Sequence, residues 1–297
     1  MERRWSSADF GSAPDNDFLD KLAEKYRDNC TRSTKDCKEK WICPSCRGDF
    51  PPVRNLLVDL PAYWCPECKV MNPASYNWSI TKMKLNGIPL DFIVYDQCRT
   101  PYCSIFAVIA ALDCARRVNG ALHRLIESAP LDFQEMKNMY ERETNCEPGS
   151  EKKKFSFARL HMMLVSMRIY PDFFRVKASN IPHVTRLIAS GIPLVTFVRV
   201  GSSFTYMIGN QVYSAPATWD DANATHAVAL VGSGRAQKSS GQVGTYYVAR
   251  NSHGESAHSC YHTKGFSGDF LVWAEDAIFI WGFNLQDQCP LEEELNL

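Results

Sequence analysis

Four residues at well-separated positions have the types needed for nucleophilic attack on a carbonyl. Gln97 stands six residues before Cys103, and Cys103 opens an almost wholly apolar run that extends to Leu112. Further along come Thr225-His226-Ala227-Val228 and Arg250-Asn251-Ser252. A thiol is a poor nucleophile until it ionises. Unpaired backbone N–H groups and the positive end of the dipole at a helix start favour the thiolate, and an imidazolium at His226 would complete an ion pair. Asn251 would fix that ring by accepting from one of its N–H groups. Gln97 would donate its side-chain amide to the developing oxyanion, helped by the backbone N–H of Cys103. A cysteine on an apolar helix is most often a buried core thiol, which is the reading for Cys114. Cys103 is set apart because four positions agree in order and context.

A second set of residues carries different chemistry. Cys43-Pro44-Ser45-Cys46 and Cys65-Pro66-Glu67-Cys68 are two Cys-x-x-Cys knuckles separated by eighteen residues. This spacing fits a four-cysteine zinc ribbon, in which four thiolates surround a structural Zn2+ and leave no open position for catalysis. Disulfides or a redox pair are the bland alternative. Cys30 and Cys37 lie nearby at the wrong spacing for a knuckle. The module would bind a protein partner or a ubiquitin-like tag, bind nucleic acid, or cap the rest of the chain. His253, His258 and His262 gather around Cys260, where an exposed polar loop is favoured over a second metal site.

The elements that must position these residues can be read from periodicity and punctuation. Residues 1–39 read as a polar, disordered tail followed by a short amphipathic helix carrying Phe18, Leu22 and Tyr26. The zinc-ribbon-like module occupies 40–82. From Cys103 a buried helix is expected, with Arg116 and Arg117 at its C-terminal end and Gly120 as its stop. Further helices are expected over 157–168 and 182–189, the second started by Pro182 and stopped by Gly191. After Gly191 the character changes to β-branched and aromatic runs at 192–200, 227–231, 245–249, 270–273 and 278–281. Residues 232–244 read as a flexible hairpin loop. Helices first and strands second imply an α+β unit of two lobes.

The totals exclude several classes. With 297 residues there is room for a catalytic core and a small accessory module. Thirty-three basic and 33 acidic residues give no net field, which argues against a dedicated nucleic-acid binder or an anionic membrane surface as partner. No signal peptide and no apolar run of membrane-spanning length is found. The expected location is cytoplasmic or nuclear, and in a reducing compartment the twelve cysteines read as metal ligands, one nucleophile and buried thiols. The sequons at Asn29, Asn77 and Asn223 are then chance matches.

At Gln97, Cys103, His226-Ala227-Val228 and Asn251-Ser252 the chain resembles the papain-like cysteine peptidases, in which a Gln precedes a helix-opening Cys, a His begins a strand and an Asn-Ser pair closes the next. Gly191 with the Ile-Pro-Leu-Val entry after it, and Phe204, Tyr206, Gly209 and Tyr213, also resemble that family. The resemblance covers about residues 86–285. It implies a helical lobe and an antiparallel β-barrel-like lobe, with Cys103 and His226 facing across a cleft in a peptidase domain at 83–290. It also implies that Gly149, after Pro148, is the substrate-binding glycine. Ala224, near the base, is a further lining residue. Pro101-Tyr102 and Ser104 stand where the family has Gly-Ser and Trp around the nucleophile. Thr100 replaces a half-cystine, and His253 replaces the Trp that shields the Asn–His bond. The family's long helical pro-segment signature is absent from residues 1–85.

The expected function is therefore an intracellular cysteine peptidase that acts on a peptide or protein substrate through Cys103, His226, Asn251 and Gln97. Its structural Zn2+ would be held by Cys43, Cys46, Cys65 and Cys68. The alternative is a non-catalytic papain-like scaffold that recognises a protein partner through its zinc ribbon and cleft.

Overall fold

The computed structural model describes residues 41–42, 46, 49–50, 67–68, 76–98, 100–124, 130–144, 164, 172–207, 211–216, 224–255, 257 and 268–284. The expected helices at 17–26 and 157–168 lie outside these residues, apart from helical Leu164. Near the N-terminus, β1 (Trp41–Ile42) pairs with β2 (Asp49–Phe50). The strand β3 (Tyr76–Ser79) lies on the N-terminal side of the expected boundary at 82/83, yet it pairs into the main sheet. A short hairpin follows, β4 (Lys84–Leu85) and β5 (Ile88–Pro89). Its turn is Asn86-Gly87, both at positive φ (52° and 82°), the conformation a tight two-residue hairpin demands and glycine supplies without steric cost.

Helix α1 (Cys103–Leu122) is twenty residues long. Every residue from Ile105 to Leu112 is buried, as a helix that is apolar on all sides requires. The expected stop at Gly120 is incorrect, because the helix runs through it. A mid-helix glycine costs only about 1 kcal/mol relative to alanine, and the Asn86 side chain donates to the Ala121 carbonyl at 2.9 Å, satisfying one terminal acceptor. Helix α2 (Phe133–Thr144) packs beside α1, with Phe133 stacked on Phe106 at 4.0 Å. Helix α3 (Ile181–Ala189) starts one residue before the expected position. The Asn180 side chain caps it by accepting from His183 N, with Pro182 in the first turn and Gly191 past the end at φ 81°.

The sheet has eight strands in the order β6-β12-β7-β9-β10-β11-β8, with β3 joined to β9 off that path. Its members are β6 (Asp172–Val176), β7 (Leu194–Val200), β8 (Val212–Tyr213), β9 (Ala224–Gln237), β10 (Val243–Arg250), β11 (Asp269–Trp273) and β12 (Ala277–Asn284). All its pairings are antiparallel except β11 with β8. The molecule is thus α+β around one large sheet. The reading of 232–244 as a loop is corrected: β9 continues to Gln237 and β10 resumes at Val243, leaving a turn closed by Lys238 N to Gln242 O at 2.7 Å. The small and polar residues of this segment are strand residues because β9 changes partner, from β7 up to Leu230 to β3 from Gly232. Ladder pairing on both sides overrides weak local propensity. Strands β3, β6 and β8 are absent from the sequence reading. Among the described residues no helix is long and apolar enough to cross a membrane.

Candidate active site

His226 is the third residue of β9, opposite Val198 of β7, and only 5% exposed. Strand β10 runs antiparallel to β9 and ends at Arg250, so the next residue, Asn251, emerges beside His226. Its backbone N–H is pinned to the Gly268 carbonyl at 2.8 Å. The His226 Nε2 and Asn251 Oδ1 atoms are 2.7 Å apart. An amide oxygen only accepts, so this nitrogen carries the proton, and Nδ1 is the basic atom of the neutral ring. The orientation of the Asn251 amide is fixed independently, since Oδ1 also accepts from Ser252 N at 2.8 Å. The Asn251 Nδ2 group donates to His253 Nδ1 at 3.0 Å.

Gln97 is drawn to the same place from the other side. Its backbone N–H donates to the Ser252 carbonyl at 2.6 Å, and its Oε1 accepts from the Ser252 hydroxyl. An isolated bridge between Asp96 and His253, with Gly254 N donating to the Tyr95 carbonyl at 3.0 Å, zips the two segments together. Gly254 is required there, because it holds φ 79° and a Cβ would meet the Asp96 carboxylate at 3.1 Å. Tyr95 is in turn anchored to α1, its hydroxyl donating to Asp113. The Gln97 Nε2 group donates to the Thr100 carbonyl at 2.8 Å. A primary amide has two hydrogens, so one remains for a substrate oxygen.

Cys103 is half-buried in the first turn of α1. The preceding residue Tyr102 provides no side-chain cap, which leaves the first backbone N–H groups without that partner. The Tyr102 ring turns toward α2, edge-on to Phe133 at 5.8 Å, with its hydroxyl donating to Glu141 at 3.1 Å. It therefore buttresses the helix start. Cys114, about three turns further along the helix, is 1% exposed, and burial pushes its thiol up. It is the inert core thiol that its surroundings predict.

Beneath the site lies a buried ion pair. Arg250 donates through Nε to Asp269 Oδ1 at 2.5 Å and through a terminal nitrogen to Asp269 Oδ2 at 3.3 Å, on a partner directly opposite in β11. It also donates to the Phe92 carbonyl at 2.5 Å and to Asp91 at 3.2 Å. This fixes the end of β10, from which Asn251 projects, to the chain segment that leads to Gln97.

The structure thus joins Gln97, Asn251 and His226 through hydrogen bonds that meet at Ser252, and sets Cys103 at the start of the helix that follows Gln97. Ala224 opens β9 two residues before His226, opposite Val200. Gly149 lies outside the described residues, as do Cys43, Cys65, His258, Cys260 and His262. Of the expected zinc ligands, Cys46 and Cys68 are described, and Cys46 Sγ lies 3.9 Å from Glu67 Oε2 across the two knuckles. Among the described residues no group of three or more metal-ligating side chains is assembled.

Three contributors are pattern positions in the sequence whose contacts only the structure gives. Ser252 is a pattern residue in the sequence but a hydrogen-bonding junction in space. Phe204 lies with its ring 5.6 Å from that of His226 and 5.0 Å from Phe270. The His253 ring stacks on His226 at 4.9 Å with 9° between planes.

No protein-family model matches the chain, and no curated protein matches it. Among solved structures it is similar to digestive procathepsin L 3 from Tenebrio molitor larval midgut, at 13% identity and TM-score 0.47, over 75% of this chain and 74% of that one. It is also similar to xylellain, a cysteine protease from Xylella fastidiosa, at 19% identity and TM-score 0.41, over 65% and 82% of the two chains. The SERA5 proenzyme from Plasmodium falciparum aligns at 14% identity and TM-score 0.41 over 65% of this chain, which spans only 62% of that one.

Proposed function

We propose that the chain is a papain-like cysteine peptidase, with residues 83–290 as its catalytic domain and β3 completing that domain's sheet from the N-terminal side. The observation that carries this reading is the buried hydrogen-bonded chain from Gln97 through Ser252 and Asn251 to His226, with Cys103 opening the helix that follows Gln97. The Cys103 thiolate attacks the carbonyl carbon of the scissile peptide bond. The oxyanion is held by the Gln97 amide and the Cys103 backbone N–H. The His226 imidazolium, its Nε2–H held by Asn251, gives its Nδ1 proton to the departing amine, leaving a thioester on Cys103. Water then adds to the thioester as His226 Nδ1 takes its proton. The carboxylic acid departs, and the thiolate–imidazolium pair is restored. Ala224 and Gly149 are proposed to line the substrate cleft.

Turnover of a panel of fluorogenic peptide amides tests the reading, with Gln97→Ala as its probe. Loss of one oxyanion donor is expected to lower kcat about 10²–10³-fold with little change in KM. An unchanged kcat in that variant contradicts the proposed role of Gln97, and a panel with no turnover at any pH contradicts the peptidase reading.

Residues 40–82 are proposed to hold one structural Zn2+ through Cys43, Cys46, Cys65 and Cys68, with residues 1–39 as a tail. The approach of Cys46 to Glu67 supports it, because it links one residue of each Cys-x-x-Cys motif. Plasma mass spectrometry of the purified chain is expected to find about one zinc per chain, lost in Cys46→Ser/Cys68→Ser. Zinc-free protein with unaltered thermal stability contradicts this.

A further inference from the structure

We propose that His253 is a positioning residue for His226, one that must be neutral for the site to work. The inference rests on the peptidase reading and deepens it. His253 touches both members of the proposed His–Asn pair. Its Nδ1 accepts from Asn251 Nδ2 at 3.0 Å, and its ring lies parallel to that of His226 at 4.9 Å between centroids. A ring nitrogen that accepts carries no proton, so the neutral His253 ring holds its hydrogen on Nε2.

Protonation of His253 at Nδ1 sets an N–H group against the Asn251 N–H. The amide cannot escape by turning over, because Ser252 N already donates to Oδ1 at 2.8 Å and a flipped amide would oppose that donor. Asn251 must move away, and its Oδ1 leaves the His226 Nε2–H. The same proton places a second cation face to face with the imidazolium that His226 forms in the active ion pair, and like charges at that separation disfavour each other.

Other groups around His253 act in both directions. Half-burial lowers its affinity for protons, and the Asp96 carboxylate on the bridged segment raises it, leaving a net value below the usual histidine range. Phe204 faces the ring from the 202–206 turn at 6.4 Å and adds no charge. His226 is the titratable group stacked on its ring. The sign follows. A histidine lowered in the folded chain is neutral at and above neutral pH, and its favourable contacts are lost as the pH falls through the folded value.

Two measurements test this. In Cys103→Ala protein, NMR across an acid titration is expected to move the Asn251 side-chain amide and the His226 ring with the midpoint of His253. An Asn251 amide that ignores the His253 titration overturns the proposal, and this arm needs no turnover. The second measurement compares kcat/KM against pH for the unaltered chain and His253→Asn, in which the side-chain oxygen keeps an acceptor without a titratable charge. One pH unit below the His253 midpoint the unaltered chain is expected to lose about tenfold of its plateau, while the variant loses little. Coincident acid limbs overturn the proposal. Absence of turnover at every pH counts against the peptidase reading, and the NMR arm then decides the role of His253 alone.

Discussion

Replacing Cys103 with alanine is expected to lower kcat for peptide hydrolysis on the order of 10⁶-fold, as loss of the nucleophile does in enzymes whose catalytic residues act as a unit. The covalent route disappears, because no other group stands at the helix start to form the thioester. Substrate affinity should survive, since the Gln97 amide and the backbone N–H of residue 103 are untouched. The prediction is specific to one thiol. Cys114→Ala should leave kcat within about twofold, because burial keeps that thiol protonated and away from substrate. Kinetics on both variants, each checked by mass, separate catalysis from a general need for cysteine. Equal losses in the two variants would point to damage to the fold. Undiminished activity in Cys103→Ala would remove this residue from the mechanism.

The second large effect concerns stability. Arg250→Met is expected to destabilise the fold by about 3–5 kcal/mol, because it leaves the Asp269 carboxylate buried without its cation. Asp269 is 3% exposed and Arg250 4%, so water cannot replace the lost partner. The same change frees the Phe92 carbonyl and loosens the segment that presents Asn251. Adding Asp269→Leu should recover much of the loss, since an apolar pair of similar size removes the isolated charge. Urea unfolding of the single and double variants measures both numbers. A single variant as stable as the parent would show that Asp269 finds another partner or takes up a proton at small cost.

Much of the site is legible in the sequence because its chemistry depends on residue type and order. Cys103 at the start of an apolar helix, His226 at a strand entry and Asn251 at the end of the next strand need only one-dimensional cues. The punctuation of α3 is equally readable, with Asn180, Pro182 and Gly191 all local signals. Three-dimensional partnership is not. Nothing in the spacing says that the Ser252 hydroxyl meets the Gln97 oxygen, or that His253 lies flat on His226. Gly120 misleads because a buried helix tolerates one glycine, and the polar stretch after Val231 misleads because β3 supplies a ladder partner from about 155 residues earlier in the chain. Strand β3 is hidden by the same circumstance, since Tyr76–Ser79 has no partner nearby in sequence.

Covalent labelling tests whether Cys103 is a nucleophile primed by His226 and Asn251. The native chain should be treated with an epoxysuccinyl inhibitor, the adduct located by peptide mass mapping, and the rate repeated for His226→Ala. The expected result is one adduct, on Cys103, formed at neutral pH and slowed at least about 10²-fold without the histidine. No adduct on Cys103, or equal labelling of Cys98 and Cys103 at a rate indifferent to His226, would contradict it. The cleft would then belong to a scaffold that recognises proteins without cutting them.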